Sequence, residues 1–166
     1  GELFFAIDPG YRGERGKVNT QYQNIIEDGD PFKDGFFVPE NVFIIGTMND
    51  IDRSVENMDF AMRRRFSWIE VSPNDTESML DELSCVEKAK DTMKRLNEAI
   101  EETEGLGSAY MIGPAYFRKL GENGGDFTKL WKMNIGPLLK EYLRGCRKTD
   151  DIMKLLSEAY VGEKGE

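Results

Sequence analysis

The hydrophobic pattern changes at Pro73, and this change constrains the fold more than any other feature of the 166-residue sequence. Beyond Pro73, apolar residues recur at steps of three and four, which is the spacing of one face of an α-helix. The clearest series consists of Val86, Ala89, Met93, Leu96 and Ile100. The spacing predicts helices over 74–83, from 86 to just before 105, over 114–120, over 127–144 with an interruption at Gly136–Pro137, and over 150–160. We therefore predict an all-α helical domain over residues 74–166.

Residues 1–73 have a different pattern. Two short runs rich in β-branched and aromatic residues, 41–47 and 67–71, flank a predicted helix at 54–64. Runs of this kind, bounded by turn residues, are typical of buried strands. Strand, helix and strand in about 30 residues indicate part of an α/β sheet. Residues 10–40, rich in Gly, Asp, Asn and Pro, are predicted to form a long surface connection with one ordered piece at 18–26.

Composition excludes several classes of function. The net charge is −9, from 31 acidic and 22 basic residues, and this argues against a surface that coats nucleic acid. No apolar run approaches the length of a membrane span, and the first residues lack the basic start of an export signal. With no histidine and two distant cysteines, Cys85 and Cys146, no metal site is expected, and the thiols favour a cytoplasmic location.

The residues with the most chemical character follow the first predicted strand. Asn49 lies where a buried strand ends, which is the edge at which open α/β sheets bind ligands. Its amide can orient a water molecule or contact a phosphate oxygen, and Asp52 can accept a hydrogen bond from that water. Arg63, Arg64 and Arg65 end the next helix, and an arginine at such an edge can reach phosphates bound by a neighbouring subunit. Taken singly, these residues also suit a helix cap, a turn and a solvated helix end.

The combination resembles the signature of the McrB-type AAA+ GTPases, which belong to modification-dependent restriction systems. The family's loop reads Met-Asn-Thr-Ala-Asp-Arg-Ser, and its next helix ends in Leu-Arg-Arg-Arg-Phe. The matching residues here are Met48, Asn49, Asp52, Arg53, Ser54 and the run from Arg63 to Phe66. The resemblance extends to the lead-in 38–41, to the lid segment 110–117 and faintly to 135–142, and so covers about residues 1–143.

This resemblance implies a fold and a set of roles. The fold is α/β: a partial AAA+ (RecA-like) sheet fragment over residues 1–73, followed by the helical lid over 74–166. Asn49 would be the sensor-1 residue at the γ-phosphate, Asp52 would position the attacking water, and Arg53 would steady the loop. Arg64 or Arg65 would be the arginine finger that enters the adjacent subunit's site. From the lid, the nucleotide would be approached by Ile112, Gly113 and Tyr116.

The sequence contains neither a Gly-x-x-x-x-Gly-Lys-[Ser/Thr] phosphate loop nor a magnesium-holding strand that ends in Asp-Glu. The chain is therefore expected to be the carboxyl-side fragment of a longer protein, inactive alone and without a tightly bound nucleotide. The resemblance implies GTP or ATP with Mg²⁺ in the parent protein, a homo-oligomeric ring and a McrC-like nuclease partner. DNA would be contacted through other domains only, and no membrane is involved.

Three other interpretations remain open on the residues alone. The chain could be a catalytically inactive AAA+-like scaffold, or a helical protein-interaction module in which the arginines bind an acidic partner. It could also be a DNA-binding protein, which its charge disfavours. The intact pair Asn49 and Asp52 favours the motor over the scaffold, and the interaction module gives no reason for the spacing from Asn49 to Arg53.

Overall fold

The computed structural model describes residues 2–49, residue 51 and residues 60–162. The chain divides into two compact units, Gly1–Ile69 and Glu70–Glu166. Among the described residues, helices and turns account for the regular structure of both units, apart from one isolated β-bridge. Among the described residues, no helix combines the length and the apolar character needed to cross a membrane.

The first unit consists of short elements joined by turns. Helix α1 spans Glu2–Ala6 and α2 spans Phe60–Arg63, while short 3₁₀ turns lie at Pro9–Tyr11, Glu14–Gly16 and Gln23–Ile25. An isolated antiparallel bridge joins Val18 and Phe36, whose backbone groups exchange hydrogen bonds of 2.9 and 2.8 Å. Arg12 ties the unit together by donating to the carbonyl oxygens of Ile7 at 3.3 Å and Val42 at 2.7 Å.

The predicted sheet fragment is absent from the part of the chain that the structure describes. Residues 42–49 and 67–72, which include the two predicted strands, have no regular structure. A strand forms only when its N–H and C=O groups pair with a neighbouring strand, and the one bridge among the described residues, between Val18 and Phe36, involves neither run. As a result, the side chains of Phe43 and Ile45 are 87% and 92% exposed. The strand prediction is wrong for this structure because the two apolar runs have no pairing partner among the described residues.

The second unit is helical, as predicted for the lid. It opens with a 3₁₀ helix at Asn74–Leu80 and continues with the long helix α3, which spans Val86–Glu102. A 3₁₀ turn at Ser108–Tyr110 follows. The remaining helices are α4 (Pro114–Phe117), α5 (Lys119–Glu122), α6 (Phe127–Leu130), α7 (Gly136–Tyr142) and α8 (Thr149–Val161).

The core of this unit forms around the apolar face of α3. The members of that face that are buried, Ala89, Met93, Leu96 and Ile100, pack with residues from every later helix of the unit. The other buried members of the cluster are Leu80, Ile112, Phe117, Leu120, Leu130, Ile135, Leu139, Leu143, Leu156 and Tyr160. Helices α3 and α8 pack against each other. Arg95 on α3 reinforces this contact by donating to the carbonyl oxygen of Ala159, at 3.2 Å, in the last turn of α8.

The predicted interruption at Gly136–Pro137 takes the form of a π-helical turn. The turn occupies Trp131–Ile135 and connects α6 to α7 without ending the helix. Pro137 has no N–H to donate to the preceding turn, which makes a local widening favourable at this point. The backbone of Trp131 packs closely against Gly136, because a Cβ at that position would lie 3.0 Å from the carbonyl oxygen of Trp131.

Candidate functional site

Of the predicted sensor residues, only Asn49 can be placed. Its side chain is exposed, and its Oδ1 accepts a long hydrogen bond of 3.4 Å from the backbone N–H of Ile51. This contact is typical of a short turn that an asparagine closes on itself. Asp52 and Arg53 lie outside the described residues.

The three consecutive arginines have three different environments. The guanidinium of Arg63 lies over the ring of Trp68, 4.9 Å from its centroid, and the indole N–H of Trp68 donates to the Arg63 carbonyl oxygen at 2.8 Å. Arg64 is exposed, and no described residue forms an ion pair with it. Arg65 is the anchored member, with only 12% of its side chain exposed.

Two contacts anchor Arg65. Its Nη1 donates to the carbonyl oxygen of Ala61 in α2, and its Nε lies 3.6 Å from the carboxylate of Asp8. At that distance the Nε makes an ion pair but no hydrogen bond, and it is buried. Asp8 also accepts a hydrogen bond of 3.1 Å from the N–H of Gly10 through its other oxygen. The sequence offered no signal for this pair, because Asp8 and Arg65 are far apart in the chain and Asp8 reads locally as a turn residue.

The predicted lid segment lies at the start of α4. Ile112 is buried, Gly113 is the residue before the helix, and Pro114 occupies its first position. Proline is favoured there because its missing N–H would have had no partner within the helix. Tyr116 is half-buried, and the ammonium group of Lys119 lies 5.7 Å from its ring centroid.

Tyrosines surround this segment within the second unit. The rings of Tyr110 and Tyr142 meet edge to face at 5.1 Å. Burial raises the pKa of the Tyr142 phenol, and the nearby phenols of Tyr116 and Tyr110 raise it further. The segment is therefore backed by neutral aromatic side chains, and Tyr116 belongs to the same cluster.

Sequence analysis missed Asn97, the residue that holds the lid segment. Asn97 lies on α3, is 5% exposed, and forms hydrogen bonds to both backbone groups of Ile112. A signal for it does exist in the sequence. Position 97 is four residues after Met93 and three before Ile100, so a polar residue there falls on the apolar face of the helix.

A shallow groove lies beside this segment rather than on it. It has a volume of about 520 Å³ and is lined by Met79, Glu82, Leu83, Ala115, Arg118, Lys119, Gly121 and Glu122. Ala115 is the member that belongs to the lid motif. Neither Ile112, Gly113 nor Tyr116 lines the groove.

Comparison with known proteins identifies the helical unit. Residues 88–150 match the family described as "McrB, alpha-helical lid domain". This part of the chain belongs to the McrB lid family, so the helical unit contains a lid of the McrB type. The chain is 36% identical over 156 residues to the "Type IV methyl-directed restriction enzyme EcoKMcrB subunit" of Escherichia coli K12. The match covers 86% of this chain and 33% of that protein, so the chain spans about a third of its relative's length. No solved structure matches this chain.

Proposed function

We propose that this chain is the carboxyl-side part of the NTP-hydrolysing subunit of a methyl-directed restriction system. The observation that carries the proposal is the extent of the match to the Escherichia coli protein. A continuous stretch that covers 86% of 166 residues includes about residues 24–143 wherever it begins. The similarity therefore spans both the loop that contains Asn49 and the lid segment, and is not confined to the lid family match at 88–150.

In this proposal the loop residues act on the nucleotide's terminal phosphate. Asn49 is the sensor-1 residue, and its exposed amide is able to contact a phosphate oxygen. Asp52 positions the attacking water and Arg53 steadies the loop. Such groups accelerate phosphoryl transfer by orientation and electrostatics rather than by covalent chemistry.

One arginine of the adjacent triplet is proposed to act on a neighbouring subunit's nucleotide in a homo-oligomeric ring. The exposure of Arg64 supports this residue as the finger, because its guanidinium is available to another chain. Arg65 is engaged by Asp8 and Ala61, and this supports a role in holding the end of α2 in place. A finger of this kind contributes on the order of 10³–10⁵ in rate.

The lid residues Ile112, Gly113 and Tyr116 are proposed to approach the nucleotide, which is GTP or ATP with Mg²⁺. The phosphate loop and the magnesium carboxylates would come from another part of the longer protein. In the described ranges, no three His, Cys, Asp or Glu side chains converge on a site that could hold a metal ion. A McrC-like nuclease subunit would be the partner, other domains would contact DNA, and the assembly would work in the cytoplasm.

The finger assignment gives the sharpest experiment, in a longer protein that joins this chain to a phosphate loop. Arg64→Ala is expected to reduce turnover in a uniform ring by about 10³-fold or more without preventing nucleotide binding. Mixing this variant with subunits whose phosphate loop is disabled should restore part of the activity. In a mixed ring, the nucleotide site of an Arg64→Ala subunit can lie next to a loop-disabled subunit, which still supplies a normal Arg64. Arg63→Ala is the matched control, since Arg63 is already stacked on Trp68.

Two results would contradict the proposal. If the Arg64 and Arg65 variants both turn over normally, or if mixing never restores activity, the finger assignment fails and the triplet has no catalytic role. Absence of turnover in the unmodified longer protein would instead favour the inactive scaffold. The 166-residue chain alone is expected to release no phosphate from GTP or ATP, because nothing in it replaces the phosphate loop.

A further inference from the structure

Asn97 is a buried amide in the apolar core of the second unit. It is one of two buried polar side chains among the described residues, and it shares the core-facing side of α3 with Met93 and Ile100. An amide loses its hydrogen bonds to water when it is buried, so it is retained only where the protein supplies partners. The identity of those partners indicates what Asn97 does.

Both partners of Asn97 belong to one residue of the lid segment. The side-chain Nδ2 donates to the carbonyl oxygen of Ile112 at 3.0 Å, and the side-chain Oδ1 accepts from the N–H of Ile112 at 2.7 Å. Two bonds to the same residue fix both the position and the orientation of its backbone. A single bond would leave the backbone free to pivot. Gly113 follows directly, and its carbonyl oxygen accepts from the N–H of Tyr116 at 3.2 Å in the first turn of α4.

We propose that Asn97 is the positioning residue for the lid's contact with the nucleotide. This rests on the proposed function, in which Gly113 and Tyr116 approach the nucleotide. Asn97 holds the backbone of Ile112 at a fixed place on α3, so that the following residues are already ordered before the nucleotide binds. Pre-ordering of this kind strengthens binding because less conformational freedom is lost on contact. Asn97 is buried and both of its amide groups are bonded to Ile112, so in this proposal it acts through the lid backbone on affinity and not on the bond-breaking step.

Asparagine is the residue that fits this arrangement. Aspartate has the same shape and keeps the acceptor, but it places a second oxygen against the carbonyl oxygen of Ile112. Asn97→Asp therefore breaks one of the two bonds with no change in volume. Met93→Ala is the matched control, because Met93 lies on the same face of α3 and its truncation loosens the core without removing either bond to Ile112.

The test measures the dissociation constant of a fluorescent GTP or ATP analogue and the saturated turnover rate in the longer protein. Asn97→Asp is expected to weaken nucleotide binding by about tenfold, the effect of one lost buried hydrogen bond. Turnover at saturation should stay within about twofold of the parental value. Met93→Ala should lower thermal stability at least as much while leaving the dissociation constant within about twofold. If Asn97→Asp does not fold, Asn97→Ala is held to the same criteria.

Two outcomes would overturn the inference. It fails if Asn97→Asp binds nucleotide as the parental protein does, or if Met93→Ala weakens binding equally. A third variant, Tyr116→Ala, separates this failure from that of the proposed function. If Tyr116→Ala weakens binding and Asn97→Asp does not, only the positioning role is wrong. If Tyr116→Ala also binds normally, the proposed contact of the lid with the nucleotide fails and the positioning role of Asn97 fails with it, while the NTPase assignment still stands or falls on the Arg64 experiment.

Discussion

The two units of this chain bury their apolar side chains to very different extents. In Glu70–Glu166, fourteen buried residues form one continuous cluster. In Gly1–Ile69, the buried apolar residues among those described are Ala6 and Val38, while Phe43, Ile45 and Ile69 are exposed. A helix satisfies its own backbone and needs a partner for only one face, whereas a strand needs partners along its whole length. We therefore expect the helical unit, Glu70–Glu166, to fold on the residues it contains.

The same comparison separates stability from chemistry. The helical unit holds the core that resists unfolding, and the loop unit presents the exposed amide and guanidinium groups proposed to act on phosphate. Substitutions in the two units should therefore affect different measurements.

Removal of the sensor groups should affect catalysis and leave stability alone. In the longer protein, Asn49→Ala and Asp52→Asn are each expected to lower nucleotide turnover by roughly 10²–10³-fold, the usual cost of one lost preorganised group. Nucleotide affinity should change by no more than severalfold, and the unfolding temperature should not change. Steady-state kinetics and equilibrium binding would check this. Parental turnover in both variants would mean that Asn49 and Asp52 are a turn residue and a helix cap.

How far the sequence could predict this molecule depends on the range of the interactions involved. The helices of the lid follow from local periodicity, so α3 was predicted within a few residues of its observed bounds, Val86–Glu102. The strands predicted at 41–47 and 67–71 are absent from the described residues, because an apolar run cannot reveal whether its pairing partner is present. The ion pair of Arg65 with Asp8 joins residues distant in sequence, and no spacing rule reports it. The helical spacing places Asn97 on the apolar face of α3, but it does not identify Ile112 as the partner. Whether Asn49 and Gly113 contact one nucleotide stays a prediction.

Truncation of the lid core should cause the largest loss of stability. Phe117 is fully buried in the core cluster, so Phe117→Ala is expected to lower the free energy of unfolding by about 3–5 kcal/mol. Phe43→Ala, the same change at an exposed position of the first unit, should alter it by less than about 0.5 kcal/mol. Denaturant unfolding of both variants measures the difference. Equal losses would show that the first unit is as well packed as the lid.

A smaller effect is expected at Tyr160, whose hydroxyl donates to the carbonyl oxygen of Phe127 at 2.9 Å. Tyr160→Phe should cost about 0.5–1.5 kcal/mol, the net value of one hydrogen bond. Burial raises the pKa of the Tyr160 phenol, as it does that of Tyr142. The folded lid keeps both phenols neutral while the unfolded chain ionises them near pH 10.

The pH dependence follows from that difference. The stabilising contribution of the neutral phenols is complete below about pH 10 and is lost as the pH rises above it. Thermal unfolding should therefore be insensitive to these phenols at neutral pH and should become easier in alkali. Tyr160→Phe should show a weaker alkaline loss than the parental chain. An unchanged alkaline loss in this variant would mean that Tyr160 does not contribute to it.

The smallest effect on folding, and a distinct effect on association, is expected from the exposed apolar run. Phe43 and Ile45 present side chains of strand-forming type to solvent, and such surfaces favour self-association. The 166-residue chain should form dimers or larger species, and Ile45→Lys should reduce them without lowering lid stability. Sedimentation at high protein concentration checks this. A strict monomer at every concentration would contradict it.

The central claim is that the helical unit folds on its own residues, and the thermal unfolding of residues 70–166 alone tests this most directly. The isolated unit should unfold cooperatively, with the helical content of the lid and a midpoint within a few degrees of the lid transition in the whole chain. Every member of the cluster around α3 lies within this unit, so removal of Gly1–Ile69 deletes none of them. A non-cooperative transition, or a midpoint more than about 10 °C lower, would show that the lid depends on the first unit, since a shift of that size corresponds to roughly 1–3 kcal/mol.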